Sequence, residues 1–322
     1  MSNIRWGYAI NQWRNMEVDL ARKEQVESAL KVISVCGFEA VELSDCDGIL
    51  DGPENILGHF GSPQNFMTFL NECGICQVSS FFLNLGNGSF FKGGFRSTNS
   101  DDHKIIIGAA GGIAGFMSQL GVKCMVPRGM PPYWKEAPVT DEKIKIAADC
   151  WNHAGKATQA SGVKIAVHID FLNGLRGLDS IETFLSYTDP EFVGLALDTA
   201  EFTIAGIDPV KFYEKHHGRV CHFHFKDAVE KDSQDEYKET NAEIEYWPVP
   251  VTLAGQKRGI ERWYYEMGTP GGRVDFPALL KSLYKHNYDG WIVVESDQSP
   301  HAEESVMLNG WYRRQVLSMI QS

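Results

Sequence analysis

Short apolar runs alternate with amphipathic segments along almost the whole chain, as they do where strands alternate with helices. Helical patterns separate the strand-like runs, and each closes near a Gly, Asn or Asp that can end a helix. These predicted helical segments cover residues 24–37, 63–74, 105–121, 143–162, 180–189, 209–218 and 276–287. Helix, glycine and strand in this order are typical of a parallel barrel. The pattern predicts a (β/α)8 TIM barrel whose eight strands cover residues 4–10, 38–43, 75–82, 122–127, 163–170, 192–198, 219–224 and 291–296.

Two long segments interrupt this alternation. Residues 84–105 form a Gly-, Ser- and Asn-rich stretch after the third strand, and loops of this kind are often lids or substrate walls. Residues 226–276 form a longer insertion between the seventh and eighth strands, first charged, then rich in aromatic residues and proline. We expect the insertion to cover the barrel mouth or bind a partner. The alternatives are a solvated loop or packing against the outer helices of its own domain.

Length and charge narrow the classes of protein. The 322 residues, 43% of them apolar, fit one barrel with decorations better than two half-sized domains, so we predict a single domain over 1–322. The formal net charge of −12 repels phosphate backbones and anionic membrane surfaces. Small-molecule substrates are therefore expected, and neither nucleic acid nor membrane is an expected partner.

Cysteine usage and the N-terminal residues predict a cytoplasmic protein. The chain has seven cysteines, an odd number, mostly in apolar contexts and without a secreted spacing. The pair Cys73 and Cys76 matches C-x-x-C, but no second pair completes a zinc site. The first residues lack a signal-peptide layout, and no apolar run approaches the roughly 20 residues of a membrane span.

Four apolar runs lead directly into side chains that bind metals. These are His168 or Asp170 after the fifth strand, Asp198 after the sixth, His224 at the seventh and Glu295 at the eighth. In a parallel barrel all of them converge at the C-terminal mouth. A mixed nitrogen and oxygen cluster binds a divalent cation, which at a barrel mouth usually supports carbonyl or phosphoryl chemistry.

Each of these residues also has a plainer interpretation. Asp198 ends a run too apolar to be half-exposed, so its carboxylate requires a compensating cation, unless it caps the next helix. The same argument applies to Glu295, a carboxylate that follows a buried apolar run. His222 and His224 share one strand face, and we expect His224 to be the ligand and the deeper His222 to support it.

The remaining candidates are polar residues near the same strand ends. His168 and Asp170 share a face, and spacing alone leaves open which one binds the metal and which transfers protons. Lys226 can bind a substrate oxygen or stabilise an enolate, or it is simply solvated. Glu201 contacts substrate or begins a helix, where negative charge is favourable.

Several longer stretches resemble the xylose isomerase-like barrels, the group of sugar phosphate isomerases/epimerases and inosose dehydratases. The resemblance covers nearly the whole chain, and it is carried by LDTAEFTIAGIDP, VCHFHFKD, GTPGGRVDFPALL and YDGWIVVESDQSP. It implies that Asp198, His224 and Glu295 bind one divalent metal, manganese first, or cobalt, magnesium or zinc.

The chain departs from the family pattern at two positions. His168 followed by Asp170 stands where isomerases and epimerases carry a metal-binding glutamate, which is closer to inosose dehydratases. The sequence Asp198-Thr199-Ala200-Glu201 replaces the usual Asp-Thr-Gly-His, so a standard ketose epimerase reaction is not expected.

The stretches ERWYYEMGTPGG and SDQSPHAEESVMLNGWYRR resemble the larger subunits of C-glycoside deglycosidases. Those proteins act on a 3-oxo-glycoside and bind a small β-rich subunit. The resemblance thus implies a sugar or glycoside substrate, an oligomer and a small β-rich partner.

These observations predict a metal-dependent enzyme that removes a proton next to the carbonyl of a keto-sugar or 3-oxo-glycoside. Elimination with C-glycosidic bond cleavage is the leading outcome, and isomerisation, epimerisation and inosose-type dehydration are the alternatives. A DNA-repair barrel would need a basic groove, and a non-catalytic barrel subunit would have no use for the intact ligand positions. We assign Asp170, Lys226 and Glu201 to catalysis, His168, Asp198, His224 and Glu295 to the metal, and His222, Arg128 and Trp13 to substrate binding.

Overall fold

Eight strands close into an all-parallel barrel in the computed structural model of the chain, which confirms the predicted TIM fold. The structure describes residues 2–15, 20–45, 48–88, 94–131, 139–233, 236, 243–245, 250–252 and 255–320. The strands are β1 (Asn3–Ala9), β2 (Ala40–Ser44), β3 (Gln77–Leu83), β4 (Cys124–Pro127), β5 (Lys164–His168), β6 (Val193–Asp198), β7 (Val220–Phe225), β8 (Glu243–Glu245), β9 (Pro250–Thr252) and β10 (Asp289–Val294). Around the barrel the order is β1-β10-β7-β6-β5-β4-β3-β2, and β8 pairs with β9 in a separate antiparallel sheet.

Helices follow the barrel strands on the outside. They are α1 (Lys23–Val35), α2 (Gly52–Phe60), α3 (Pro63–Glu72), α4 (His103–Met117), α5 (Asp141–Gln159), α6 (Leu178–Tyr187), α7 (Thr199–Ile204), α8 (Pro209–His216), α9 (Phe276–Lys285) and α10 (Ala302–Gln315). Side-chain caps fix several starts, because Thr140, Asp208 and Asp275 accept amide N–H groups of the first turns of α5, α8 and α9. Seven of these helices match the predicted segments, α7 was considered only as the helix that Asp198 would cap, and α2 and α10 were not predicted.

The hydrophobic core lies mainly between the barrel and its helices. On β7 the outward Phe223 packs against Tyr213 of α8 and against Tyr288, with ring centroids 5.3 and 5.0 Å apart. The histidines on either side of Phe223 point into the barrel, as strand alternation requires. Small side chains on β4, β5 and β6, including Ala166 and Ala196, fill the lower interior and leave the upper layer to polar residues.

Among the helices of the described residues, none has both the length and the apolarity needed to span a bilayer. The six cysteines in the described part of the chain are free thiols, Cys73 and Cys76 among them. The remaining one, Cys46, lies outside the described residues.

Candidate active site

The four predicted ligand residues meet at the C-terminal mouth of the barrel. Strand register brings Asp198 of β6 opposite His224 of β7. His168 Nε2 lies 3.2 Å from Asp198 Oδ2, and His224 Nδ1 lies 3.6 Å from the same oxygen and 3.5 Å from Glu295 Oε2. All four side chains are buried, so their charges interact with little screening by water.

Asp198 uses its two carboxylate oxygens for different purposes. Oδ1 accepts the amide N–H groups of Ala200 and Glu201 at 3.0 Å each and so caps α7. Oδ2 faces the two histidines and Lys226. Asp198 is thus observed as the cap of α7, and its other oxygen faces the histidines predicted to bind the metal.

The charges around Asp198 decide its protonation. Burial alone would raise the pKa of this carboxyl group, but Lys226 and His168 outweigh burial and hold the pKa well below its usual range. Burial lowers the pKa of His168, yet Asp170 and Asp198 reverse the effect and raise the pKa to about 9. Oppositely charged groups therefore stabilise each other throughout this ring of four side chains, His168, Asp198, His224 and Glu295.

Below this ring, Glu42 of β2 contacts both histidines of β7. Its Oε1 lies 2.9 Å from His224 Nε2, its Oε2 lies 3.2 Å from His222 Nε2, and Ser80 donates to Oε2 at 2.6 Å. A carboxylate behind a metal-binding histidine fixes the orientation of its imidazole and makes the imidazole a stronger ligand. Glu42 thus orients His224 so that Nδ1 faces Asp198 and Glu295.

Lys226 lies buried among three carboxylates. Its Nζ is 2.8 Å from Glu295 Oε2, 3.0 Å from Asp198 Oδ2 and 3.4 Å from Asp297 Oδ1. Burial lowers the pKa of this ammonium group, but the carboxylates outweigh burial and raise the pKa well above its usual value. Lys226 is therefore a fixed positive charge at the mouth.

Asp170 forms a bidentate ion pair with Arg128. Arg128 Nε and Nη2 donate to the two oxygens of Asp170 at 3.0 and 3.1 Å, and Nη1 lies 3.5 Å from Asn84 Oδ1. Burial would raise the pKa of Asp170, yet Arg128 and His168 hold it well below its usual range. A carboxylate held in this way is ionised but accepts protons poorly.

Glu201 forms a hydrogen-bonded pair with Tyr264 of the insertion. Its Oε2 accepts the amide N–H of Phe171 at 2.7 Å, and the Tyr264 hydroxyl lies 2.7 Å from Oε1. Burial, followed by the negative charges of Asp170 and Asp198, raises the pKa of Glu201 to about 8. At neutral pH this carboxyl group holds a proton.

The donor set fits a divalent cation. His224 Nδ1, which faces Asp198 Oδ2 and Glu295 Oε2, is buried and makes no hydrogen bond, although an unsatisfied buried nitrogen is costly. His168, Asp198 and His224 each offer a ligand atom, and these atoms lie within 4.8 Å of one another. Two imidazoles with the carboxylates of Asp198 and Glu295 form a set that suits zinc, manganese or cobalt.

Two predicted substrate contacts lie elsewhere. Trp13 is 1% exposed and packs edge-on against Tyr8 at 6.2 Å in the main core, so it has almost no surface left for a ligand. His222 is also 1% exposed and pairs with Glu42 below His224, which fits its predicted supporting role and not substrate contact. Arg128 lies at the mouth, but its guanidinium is engaged by Asp170.

Part of the insertion lies over the mouth. Trp263 packs against Phe171 at 5.0 Å, and the Tyr264 ring lies 4.3 Å from Lys226 Nζ. Tyr246, Trp247 and Pro248 fall outside the described residues, so partner binding by the insertion remains a prediction.

Sequence reasoning missed Glu42, Asn11 and Asp297. Asn11 donates to Glu295 Oε1, and Asp297 lies beside Lys226. The signal for Glu42 was present, because it is a carboxylate inside the apolar run 38–43, the same feature that identified Asp198.

Comparisons with known proteins agree with this architecture. A family model described as a xylose isomerase-like TIM barrel matches residues 30–314. Inosose dehydratase of Mesomycoplasma hyopneumoniae (strain 7448) is 32% identical over 170 residues, which is 52% of this chain and 52% of that protein. Inosose dehydratase of Salmonella agona (strain SL483) is 24% identical over 305 residues, 92% of this chain and 90% of that protein.

Among solved structures, the IolI protein with a bound zinc atom superposes with a TM-score of 0.68 at 17% identity, covering 99% of each chain.

The sequence match with the Mesomycoplasma protein spans only about half of the length of that protein, 52%.

Proposed function

The chain belongs to the xylose isomerase-like TIM-barrel family, and from this premise we propose that it is a divalent-metal-dependent lyase acting on a keto-sugar or 3-oxo-glycoside. The proposed reaction removes a proton next to the carbonyl and then eliminates a group from the neighbouring carbon. One observation carries it: a buried ring of two histidines and two carboxylates lies beside a fixed ammonium, Lys226, and a protonated carboxyl group, Glu201.

His168, Asp198, His224 and Glu295 would hold the metal, for which manganese is our first candidate. The bound cation would polarise a substrate carbonyl and favour negative charge on its oxygen, an effect worth several kcal/mol. Lys226 contributes a second positive charge at the mouth, which can stabilise an enolate oxygen.

Glu201 and Tyr264 form a pair that can pass a proton outward. The amide N–H of Phe171 donates to Oε2 and the Tyr264 hydroxyl donates to Oε1. When the Tyr264 hydroxyl turns toward a leaving group and gives up its proton, the protonated Glu201 would replace that proton through Oε1. Such general acids contribute roughly 10²–10⁴-fold to rate.

Two carboxylates are available to receive the substrate proton. Arg128 clamps Asp170 and keeps the pKa of this group low, so we assign Asp170 to the positioning of Arg128 and His168. Burial raises the pKa of Asp297, which makes this residue the better proton acceptor.

The leaving group separates two candidate reactions. Cleavage of a carbon-linked aglycone from a 3-oxo-glycoside is the leading proposal from the sequence. Loss of water from a cyclic keto-polyol is the second, and the similarity to an inosose dehydratase over 92% of the chain favours it. Both begin with the same proton abstraction.

The test is proton exchange followed by product analysis. Manganese-loaded protein is incubated in D2O with an inosose, a 3-oxo-C-glycoside and simple ketoses, and NMR follows deuterium at the carbon next to the carbonyl. We expect exchange with the first or second substrate, together with release of water or aglycone. Exchange without elimination would indicate an isomerase or epimerase, and no exchange with any of these substrates would refute the proposal.

A further inference from the structure

Lys226 differs from an ordinary substrate-binding lysine because its ammonium group is buried against carboxylates. The side chain is 2% exposed, and its Nζ lies within 3.4 Å of carboxylate oxygens of Asp198, Glu295 and Asp297. A buried ammonium is retained only where anions compensate for its loss of hydration. Here two of the compensating anions belong to the proposed metal ligands.

The carboxylate oxygens that contact Lys226 are the same ones that face the histidines. Asp198 Oδ2 is the oxygen next to His168 and His224, and Glu295 Oε2 is the oxygen next to His224. Metal–carboxylate bonds are about 2.1 Å long, and Nζ lies 2.8 Å from Glu295 Oε2, so a cation on this oxygen would lie within about 5 Å of the ammonium. Two positive charges at this distance in a buried site repel each other strongly.

We propose that Lys226 is a built-in counter-cation that competes with the divalent ion for Asp198 and Glu295, so that the metal binds weakly and exchangeably. The proposal rests on the metal site of the proposed function. It also implies that Lys226 neutralises the carboxylates when no metal is bound, so the fold does not depend on the ion.

The structure offers the ammonium a second position beside the ring. Asp297 Oδ1 lies 3.4 Å from Nζ, and the Tyr264 ring lies 4.3 Å away on the side of the insertion. An anion and an aromatic face both attract an ammonium group. When a cation takes the oxygens of Asp198 and Glu295, a small shift of Lys226 toward this pair reduces the repulsion and keeps its charge at the mouth.

The experiment compares metal affinity and metal-dependent stability in lysine variants of the full chain. Lys226→Met removes the charge, Lys226→Arg keeps it, and Lys215→Met removes an exposed lysine paired with Glu182 as the matched control. The variants are purified with Mn²⁺ and stripped with a chelator. Kd values for Mn²⁺ and Co²⁺ are then measured by titration calorimetry, and melting temperatures are measured with and without Mn²⁺.

Lys226→Met should bind Mn²⁺ at least about tenfold more tightly than the unmodified protein, and its melting temperature should depend more strongly on the ion. Lys226→Arg and Lys215→Met should stay within about twofold of the unmodified protein. If Lys226→Met fails to fold even with Mn²⁺, Lys226→Gln takes its place with the same expected order of affinities.

Equal or weaker Mn²⁺ binding in the folded Lys226→Met or Lys226→Gln variant would overturn the competition. Absence of divalent-ion binding in every variant, the unmodified protein included, would instead refute the metal site itself. The failure of this inference and the failure of the proposed function are therefore distinguishable.

Discussion

Replacing Glu201 with glutamine should change how the stability of the protein depends on pH. The pKa of this carboxyl group is raised to about 8, first by burial. A raised carboxyl pKa means that the folded state holds the proton more tightly than the unfolded chain. Stability is therefore lost as pH rises from the unfolded pKa, about 4.3, to the folded value.

The size of the effect follows from the shift. Each pKa unit corresponds to about 1.36 kcal/mol, so the protein loses about 4 kcal/mol through Glu201 between pH 5 and pH 8. For a chain of 322 residues this is about 6 °C in melting temperature. Glutamine keeps an oxygen for the Phe171 amide, and its N–H group donates to the Tyr264 oxygen once that hydroxyl, which now donates to Oε1, turns away; glutamine cannot ionise.

Calorimetry of the chelator-treated protein at pH 5, 6, 7 and 8 measures the difference. Glu201→Gln should match the unmodified protein near pH 5 and exceed it by about 6 °C at pH 8. Glu303→Gln, an exposed substitution at the start of α10, is the control and should follow the unmodified protein. Parallel melting curves for Glu201→Gln and the unmodified protein would refute the assignment of a buried, protonated carboxyl group.

Four further substitutions test the roles of neighbouring residues. Asp170→Asn should cut turnover and weaken metal binding less than His168→Ala does, because Asp170 positions His168 and does not itself hold the metal; a greater loss of metal in Asp170→Asn would exchange their roles. Glu42→Gln should weaken Mn²⁺ binding about 10- to 100-fold with the fold retained by circular dichroism, and unchanged affinity would remove Glu42 from the support of His224. Tyr264→Phe keeps the ring over the mouth but removes the hydroxyl, so turnover should fall about 10²-fold at constant metal content, and an unchanged rate would exclude the proton path.

The barrel could be predicted because its strands stand out in the sequence as short, continuous apolar runs. Runs such as 192–198 are apolar throughout, which is typical of strands covered on both faces. The unpredicted helices lack such signals. Helix α7 has only six residues after its cap, Asp198, and α10 carries Trp311 and Met307 on an exposed face, which weakens its amphipathic pattern.

The convergence of the candidate ligand residues could be predicted because strand ends in a parallel barrel meet at one mouth, whatever the course of the loops. Asp198, His224 and Glu295 follow from that rule alone. The pairing of Glu201 with Tyr264 could not be predicted, since 63 residues separate them and the contact depends on the path of the insertion. Trp13 was assigned to substrate binding but lies in the core, because the sequence alone does not distinguish a tryptophan that packs in the core from one that contacts a ligand.

Metal content of the Asp198→Asn variant tests the central claim most directly. Asparagine keeps an oxygen to cap α7 in place of Oδ1 but presents an amide N–H2 where Oδ2 faces the histidines. The fold should therefore survive while the ligand is lost. We predict about one equivalent of divalent metal in the unmodified protein after dialysis against Mn²⁺, and almost none in Asp198→Asn at unchanged circular dichroism. An Asp198→Asn variant that still carries one equivalent of metal would contradict the account.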